Sequence, residues 1–180
     1  MKAFIVVLSA AMLAIGATAL ASSAAPKGTS NSDYVWSAIA QAREATAKYK
    51  DVREAVKDGY KPVSACVEGP PGAGAMGIHY LNEANVDNAA IVASKPELLL
   101  YFPEANGKLR LVGVEYFRPD DDQNLKTTED RPYLAGIPFD GPMEGHDPGM
   151  PRHYDLHAWV WQWNPNGVFA QFNPNLHCAT

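Results

Sequence analysis

Hydrophobic and polar positions divide the chain into three textures. The first is an uncharged apolar run, AFIVVLSAAMLAIGATALA, preceded only by Met1 and Lys2 and followed by small residues. One positive residue, an apolar stretch and the small-x-small triplet Ala19-Leu20-Ala21 make the three-part pattern of a secretory signal peptide, with cleavage expected after Ala21. An uncleaved anchor is the alternative, since about 20 apolar residues can span a bilayer. The single charge and the small residues favour removal. No cysteine follows the run, which argues against a lipoprotein. Residues 22–31, SSAAPKGTSN, read as a flexible lead-in, and residues 32–180 as one domain.

The second texture is helical. Ser32 or Asp33 is placed to cap a helix whose apolar positions Val35, Ile39, Ala42, Thr46 and Tyr49 recur near every 3.6 residues. Asp51 is placed to cap a second short helix through Lys57, with Gly59 as its stop. Trp36 is expected in the core. The third texture is short β-like runs between Pro, Gly and Asn: AMGIHYL, ELLLYF, KLRLVGVEYF, HYDLHAWVWQW and GVFAQF. Asn106-Gly107 in PEANGK signals a hairpin, and NPNG at 164–167 a second. Helices first and strands afterwards predict an α+β domain, its helical region packed on a mostly antiparallel, partly rolled sheet.

Residues 118–151 interrupt this pattern with a connection dense in Pro, Gly and Asp, and long loops of that kind serve as lids or binding loops. The acidic stretch Asp120-Asp121-Asp122-Gln123-Asn124 invites a calcium reading. It fails the EF-hand template, because Leu125 stands where Gly is needed and Arg131 where the bidentate Glu belongs. A solvated acidic turn is the expectation.

Charge and cysteines narrow the function classes. The formal net charge of −5 becomes −6 once Lys2 is removed, and no run of Lys and Arg exists, so phosphate-backbone binding and hence nucleic acid are disfavoured. Stable membrane insertion is not expected after cleavage. Cys66 and Cys178, the only two cysteines, are expected to pair in an oxidising compartment and tie the tail to the first third of the chain.

The chemistry lies on the strands. Side chains alternate across a strand, so His153, Asp155, His157, Trp159 and Trp161 share one face, and Tyr154, Leu156, Ala158 and Val160 the other. Three metal-ligating side chains followed by indoles predict a cavity wall, with Trp159 and Trp161 lining it and stacking on a bound group. Residues four apart on a strand are about 13 Å apart, so His153 and His157 need partners from other strands. The candidates are His79 in AMGIHYL and Glu115 in RLVGVEYF, where an ionisable residue among apolar ones has to be paired, ligated or neutralised. The plain alternative for Glu115 is an edge strand and a pair with Arg110 or Arg118; for His79 it is a hydrogen-bonded structural histidine.

The expected metal set is His79, Glu115 and His157, with His153 and then His146 as further ligands, suiting Zn, Mn, Fe or Cu. Asp155 is expected to ligate, to hold an imidazole in its tautomer, or, like Glu115, to carry a proton in a metal-assisted reaction on a small organic molecule. The pattern by itself names no reaction. Met143 and Met150, each three residues before a histidine, add a copper-handling alternative. The pattern is also compatible with a carrier for an apolar or aromatic ligand, and with a structural role that places the tryptophans in a dimer interface. There is no G-x-S-x-G elbow, and GPPGAGAMG lacks the Lys-Ser/Thr end of a phosphate loop.

GIHYLN, ELLLYFPEANGKLRLVGVEYF and PFDGPMEGHDPGMPRHYDLHAWVWQWNPNGVFAQFNP together resemble a group of small exported bacterial proteins, and the resemblance implies export without implying an activity. A looser likeness to cupins implies a β-barrel holding a metal with histidines and a Glu. The chain departs from the cupin pattern, since His79 stands alone and Glu115 lies far downstream.

Overall fold

The computed structural model describes residues 30–86, 90–146 and 149–178. The expected signal peptide and most of the lead-in lie outside the described residues.

Helix α1 spans Asn31–Thr46. Its cap is Ser30, two residues before the expected position. The Ser30 hydroxyl accepts the Asp33 N–H, and the Asp33 carboxylate accepts the Ser30 N–H at 2.8 Å, a reciprocal capping box. Ala38, Ile39, Ala42 and Thr46 form its buried stripe. Trp36 falls beside that stripe and is 62% exposed, so the core role expected for it is corrected. Helix α2 spans Val52–Lys57; its cap is Asp51, whose carboxylate accepts the Arg53 N–H, and it stops at Gly59 with φ +98°.

The strands are β1 (Lys61–Pro62), β2 (Val67–Glu68), β3 (Ala75–Leu81), β4 (Leu98–Pro103), β5 (Leu109–Pro119), β6 (Tyr133–Leu134), β7 (Ile137–Pro138), β8 (Asp140–Met143) and β9 (His153–Ala158). The main sheet runs β1-β3-β4-β5-β9-β8, with β2 also on β3, and every pairing is antiparallel. Its path ends at β1 and β8 rather than closing into a barrel. The β4–β5 hairpin turns where Asn106-Gly107 predicts it, with Gly107 at φ +77° and its N–H donating to the Glu104 carbonyl.

Strand alternation gives the sheet two unlike faces. Leu99, Tyr101, Val114, Tyr116, Tyr154 and Leu156 join the helical stripe in the main apolar core. The tyrosines there keep their hydroxyls satisfied: Tyr101 donates to the Tyr49 carbonyl at 2.5 Å and Tyr116 to the Ala93 carbonyl at 2.7 Å. The opposite face carries His79, Glu115, Asp155 and His157.

Residues 118–151 are not one structureless lid. β5 runs on to Pro119, β6 and β7 form a two-stranded ribbon, and β8 extends the main sheet beside β9. Leu134 and Phe139 enter the main core, and the Arg131 guanidinium donates to the carbonyls of Phe139 and Gly141. The GVFAQF strand is also absent. The turn at 164–167 forms, with the Gly167 N–H on the Asn164 carbonyl, but the described chain after it adds no strand and pairs with β3 in a bridge between Asn173 and Ala75. Cys66 and Cys178 are bonded, fixing this tail over the second face.

Candidate metal centre

Three strands bring one donor each to a single point. Glu115 on β5 stands opposite His157 on β9, and His79 on β3 reaches diagonally across β4 toward them. One ligand atom from each of the three lies within 4.8 Å of the other two. His79 Nε2 is 3.2 Å and His157 Nε2 3.7 Å from Glu115 Oε2. The imidazoles are edge-to-face, with ring centroids 6.1 Å apart. All three side chains are buried or nearly so.

Burial makes the polar bookkeeping here informative. Glu115 Oε2 and both ring nitrogens of His157 have no hydrogen-bond partner, although buried polar groups are almost always matched. Burial pushes the Glu115 carboxyl up, but the neighbouring His157 and His79 outweigh it and hold it at about 2. Burial pushes the His157 imidazole down, and Glu115 with Asp155 more than reverse this, raising it to about 9. Each group thus favours the charged form of the other, a charge pattern that a cation can replace.

His79 is oriented from behind. The Val63 N–H donates to the His79 carbonyl, and this pairing brings Ser64 alongside, where its hydroxyl accepts the His79 N–H and lies 3.0 Å from Nδ1. A second partner on Nδ1 leaves Nε2 facing Glu115, the support that ligating histidines usually have. Ser64 escaped the sequence reading, because nothing in VSAC sets it apart from a loop serine. Asp155 Oδ1 stands 3.7 Å from His157 Nδ1, flanking the cluster without belonging to it.

The remaining expected ligands sit at the start of β9 and in the segment before it. His153 pairs across from Pro119, its Nε2 is 3.9 Å from Asp155 Oδ2, and its Nε2 is also unpartnered. His146 packs edge-on against the His153 ring at 5.2 Å. The strand spacing that separates His153 from His157 keeps His153 outside the three-donor cluster, and His146, packed on His153 from before β9, stays outside it as well.

A cavity of about 730 Å³ opens above the cluster. His79, Glu115, Asp155 and His157 give it a polar floor, while Val67, Met76, Leu81, Leu98, Phe117 and Phe172 make its walls apolar. From the long connection, Pro119, His146, Gly149, Met150 and Pro151 reach it. The expected tryptophan lining is corrected: neither Trp159 nor Trp161 borders the cavity. β9 stops at Ala158, where the Val160 N–H turns back to the Ala158 carbonyl in a γ-type turn that ends the alternation. Trp159 then packs with Leu100, Val112 and Leu176, and its indole N–H donates to the Ala170 carbonyl. Trp161 lies under Arg43 and Lys50 on the helical side and donates to Thr46 Oγ1. Trp163 is 72% exposed.

Among the described residues no helix is long and apolar enough to cross a membrane. Comparisons of the chain with protein-family models, with curated proteins and with solved structures give no match, so the reading of the site rests on its own geometry.

Proposed function

We propose that this is an exported metal-binding protein in which His79, Glu115 and His157 hold one divalent transition metal at the floor of a cavity for a small organic molecule. The observation that carries it is the convergence of buried donor atoms lacking partners, Glu115 Oε2 and both nitrogens of His157, with the oriented His79. Two imidazoles and one carboxylate suit zinc and its neighbours, and such three-donor sets leave a position for water or a ligand. The apolar walls favour a ligand with an apolar body and one polar or anionic end directed at the floor.

A bound metal would supply Lewis acidity to that end. Asp155, outside the cluster but bordering the cavity, is the group left to hold or move a proton there. Export rests on the Lys2-led apolar run, on the likeness to small exported proteins and on the Cys66–Cys178 bond, which suits an oxidising compartment.

One observation favours copper handling as a second reading: Met150 borders the cavity. Its sulfur already accepts the His146 N–H at 3.4 Å, and Met143 is not among the lining residues, so the soft-donor set is thin. Metal analysis of protein purified from its native compartment tests both readings. Near-stoichiometric zinc, manganese or iron that is lost in His157→Ala supports the first. Copper alone, lost in Met150→Leu, selects the second. Equal metal content in wild type and His157→Ala overturns the site. Export is tested separately by the N-terminal sequence of the secreted protein, expected to begin at Ser22.

A further inference from the structure

The turn after β5 gathers donors that the strand site does not use. Asp120, Asp122 and Asp130 each offer a carboxylate oxygen, and the three oxygens lie within 4.8 Å of one another. Acidity alone makes no site, since exposed carboxylates group freely in solvent. Asp120 is different. It is only 2% exposed, and neither of its carboxylate oxygens has a hydrogen-bond partner. The solvated acidic turn expected from the sequence is thereby corrected at this residue. A buried carboxylate with both oxygens unmatched has to be compensated by a cation or a proton.

The other two carboxylates are held in place. Asp130 accepts the Tyr154 hydroxyl on Oδ1 and the Asp121 N–H on Oδ2, each at 2.8 Å. Asp122 accepts the Asn124 N–H at 2.9 Å and the Thr127 hydroxyl at 2.7 Å. Every one of these oxygens keeps a second lone pair. The Asp120 N–H donates to the Arg152 carbonyl at 2.9 Å, fixing the backbone from which its side chain projects.

No guanidinium hydrogen-bonds the Asp120 carboxylate, although Arg152 is close enough to act on it through its charge. The Arg131 guanidinium donates to the Phe139 and Gly141 carbonyls, and that of Arg152 to Glu144 and the Gln123 carbonyl. Arg118 pairs with Asp121 at 3.9 Å.

We infer that Asp120, Asp122 and Asp130 form a second metal site, for a hard divalent cation of the calcium class. The donors are all oxygen, with no imidazole or sulfur among them, and two of the three sit on a turn able to adapt to a large coordination shell. The site is reached by a register other than that of an EF-hand, which is why that template misses it.

Terbium luminescence provides the test on the disulfide-bonded protein after chelation. Tyr154, hydrogen-bonded to Asp130, is placed to sensitise a bound terbium ion. Saturable luminescence displaced by calcium chloride, with a calcium-dependent rise in the thermal midpoint, is expected. Asp120→Asn and the exposed Asp122→Asn should each weaken terbium affinity about tenfold or more. Asp122→Asn serves if Asp120→Asn fails to fold. Zinc content should stay at the wild-type level in both, and that separates this site from the strand site. Absence of saturable luminescence, or displacement by zinc in preference to calcium, overturns the assignment. So does an Asp120→Asn protein whose gain in stability over wild type is the same with and without calcium, because a shared proton then explains the buried carboxylate.

Discussion

The two donor clusters flank one strand and are built in opposite ways. On one face of β9, His157 joins Glu115 and His79, each fixed by the register of a paired strand. On the other face, Tyr154 reaches Asp130, which a turn brings beside Asp120 and Asp122. The strand cluster is mixed nitrogen and oxygen and buried on paired strands. The turn cluster is oxygen only, with Asp122 exposed. Borderline donors on paired strands select a small transition metal by geometry, whereas adaptable oxygens suit a larger hard cation. A single β-strand thus borders two unlike donor clusters, because alternation sends neighbouring residues to opposite sides.

The largest expected effect breaks the comparison on one side only. His157→Ala, or Glu115→Gln, should abolish stoichiometric transition metal as measured by elemental analysis, while the calcium response of the turn persists. Loss of both would mean that the two clusters form one linked unit. Next in size is the disulfide. Cys66→Ser with Cys178→Ser removes a link across 112 residues of chain, and denaturant titration should show a loss of about 4–5 kcal/mol in the loop-entropy limit. Because Gln171 and Phe172 border the cavity, this variant should also loosen ligand retention there and leave terbium binding intact.

A smaller effect sharpens the contrast. Ser64→Ala removes the partner of His79 Nδ1, and metal affinity at the strand site should fall about tenfold by competition with a chelator. An unchanged affinity would show that packing alone orients the imidazole. The smallest effect concerns pH. Burial raises the Glu97 carboxyl to about 7, from an ordinary 4.5, even though it accepts the Phe117 N–H. A folded value above the unfolded one favours the protonated form. The contribution is therefore full below about pH 4.5 and is lost as pH rises through 7. Urea titrations across that window should show wild type losing stability with rising pH and Glu97→Gln losing less. If the slopes are equal, the pH dependence belongs to the two clusters instead.

How much could be read in advance follows the range of the interaction. Alternation along HYDLHA gave the two faces correctly, with Tyr154 and Leu156 in the core and Asp155 and His157 on the cavity floor. The Asp51 cap and the Asn106-Gly107 turn were equally legible, being settled within a few residues. The same alternation failed one residue further on. Extending it through Trp159 and Trp161 assumed a strand that the Val160-to-Ala158 turn ends, and the indoles depart to different cores. Within residues 118–151, short strands and the pairing of β8 with β9 stayed hidden, because segments of two to four residues are held by tertiary partners and carry little periodicity.

The sequence by itself determined the α+β class, the donor types, the phase of β9 and the cysteine pair, all of which depend on local preference or composition. The tertiary structure decided which donors meet. The diagonal approach of His79 to Glu115, the placing of Ser64 behind it and the burial of Asp120 beside Asp130 each require strand register or a long turn to bring distant residues together. Spacing within one segment fixes direction, while contact between segments depends on how the whole sheet is paired and covered.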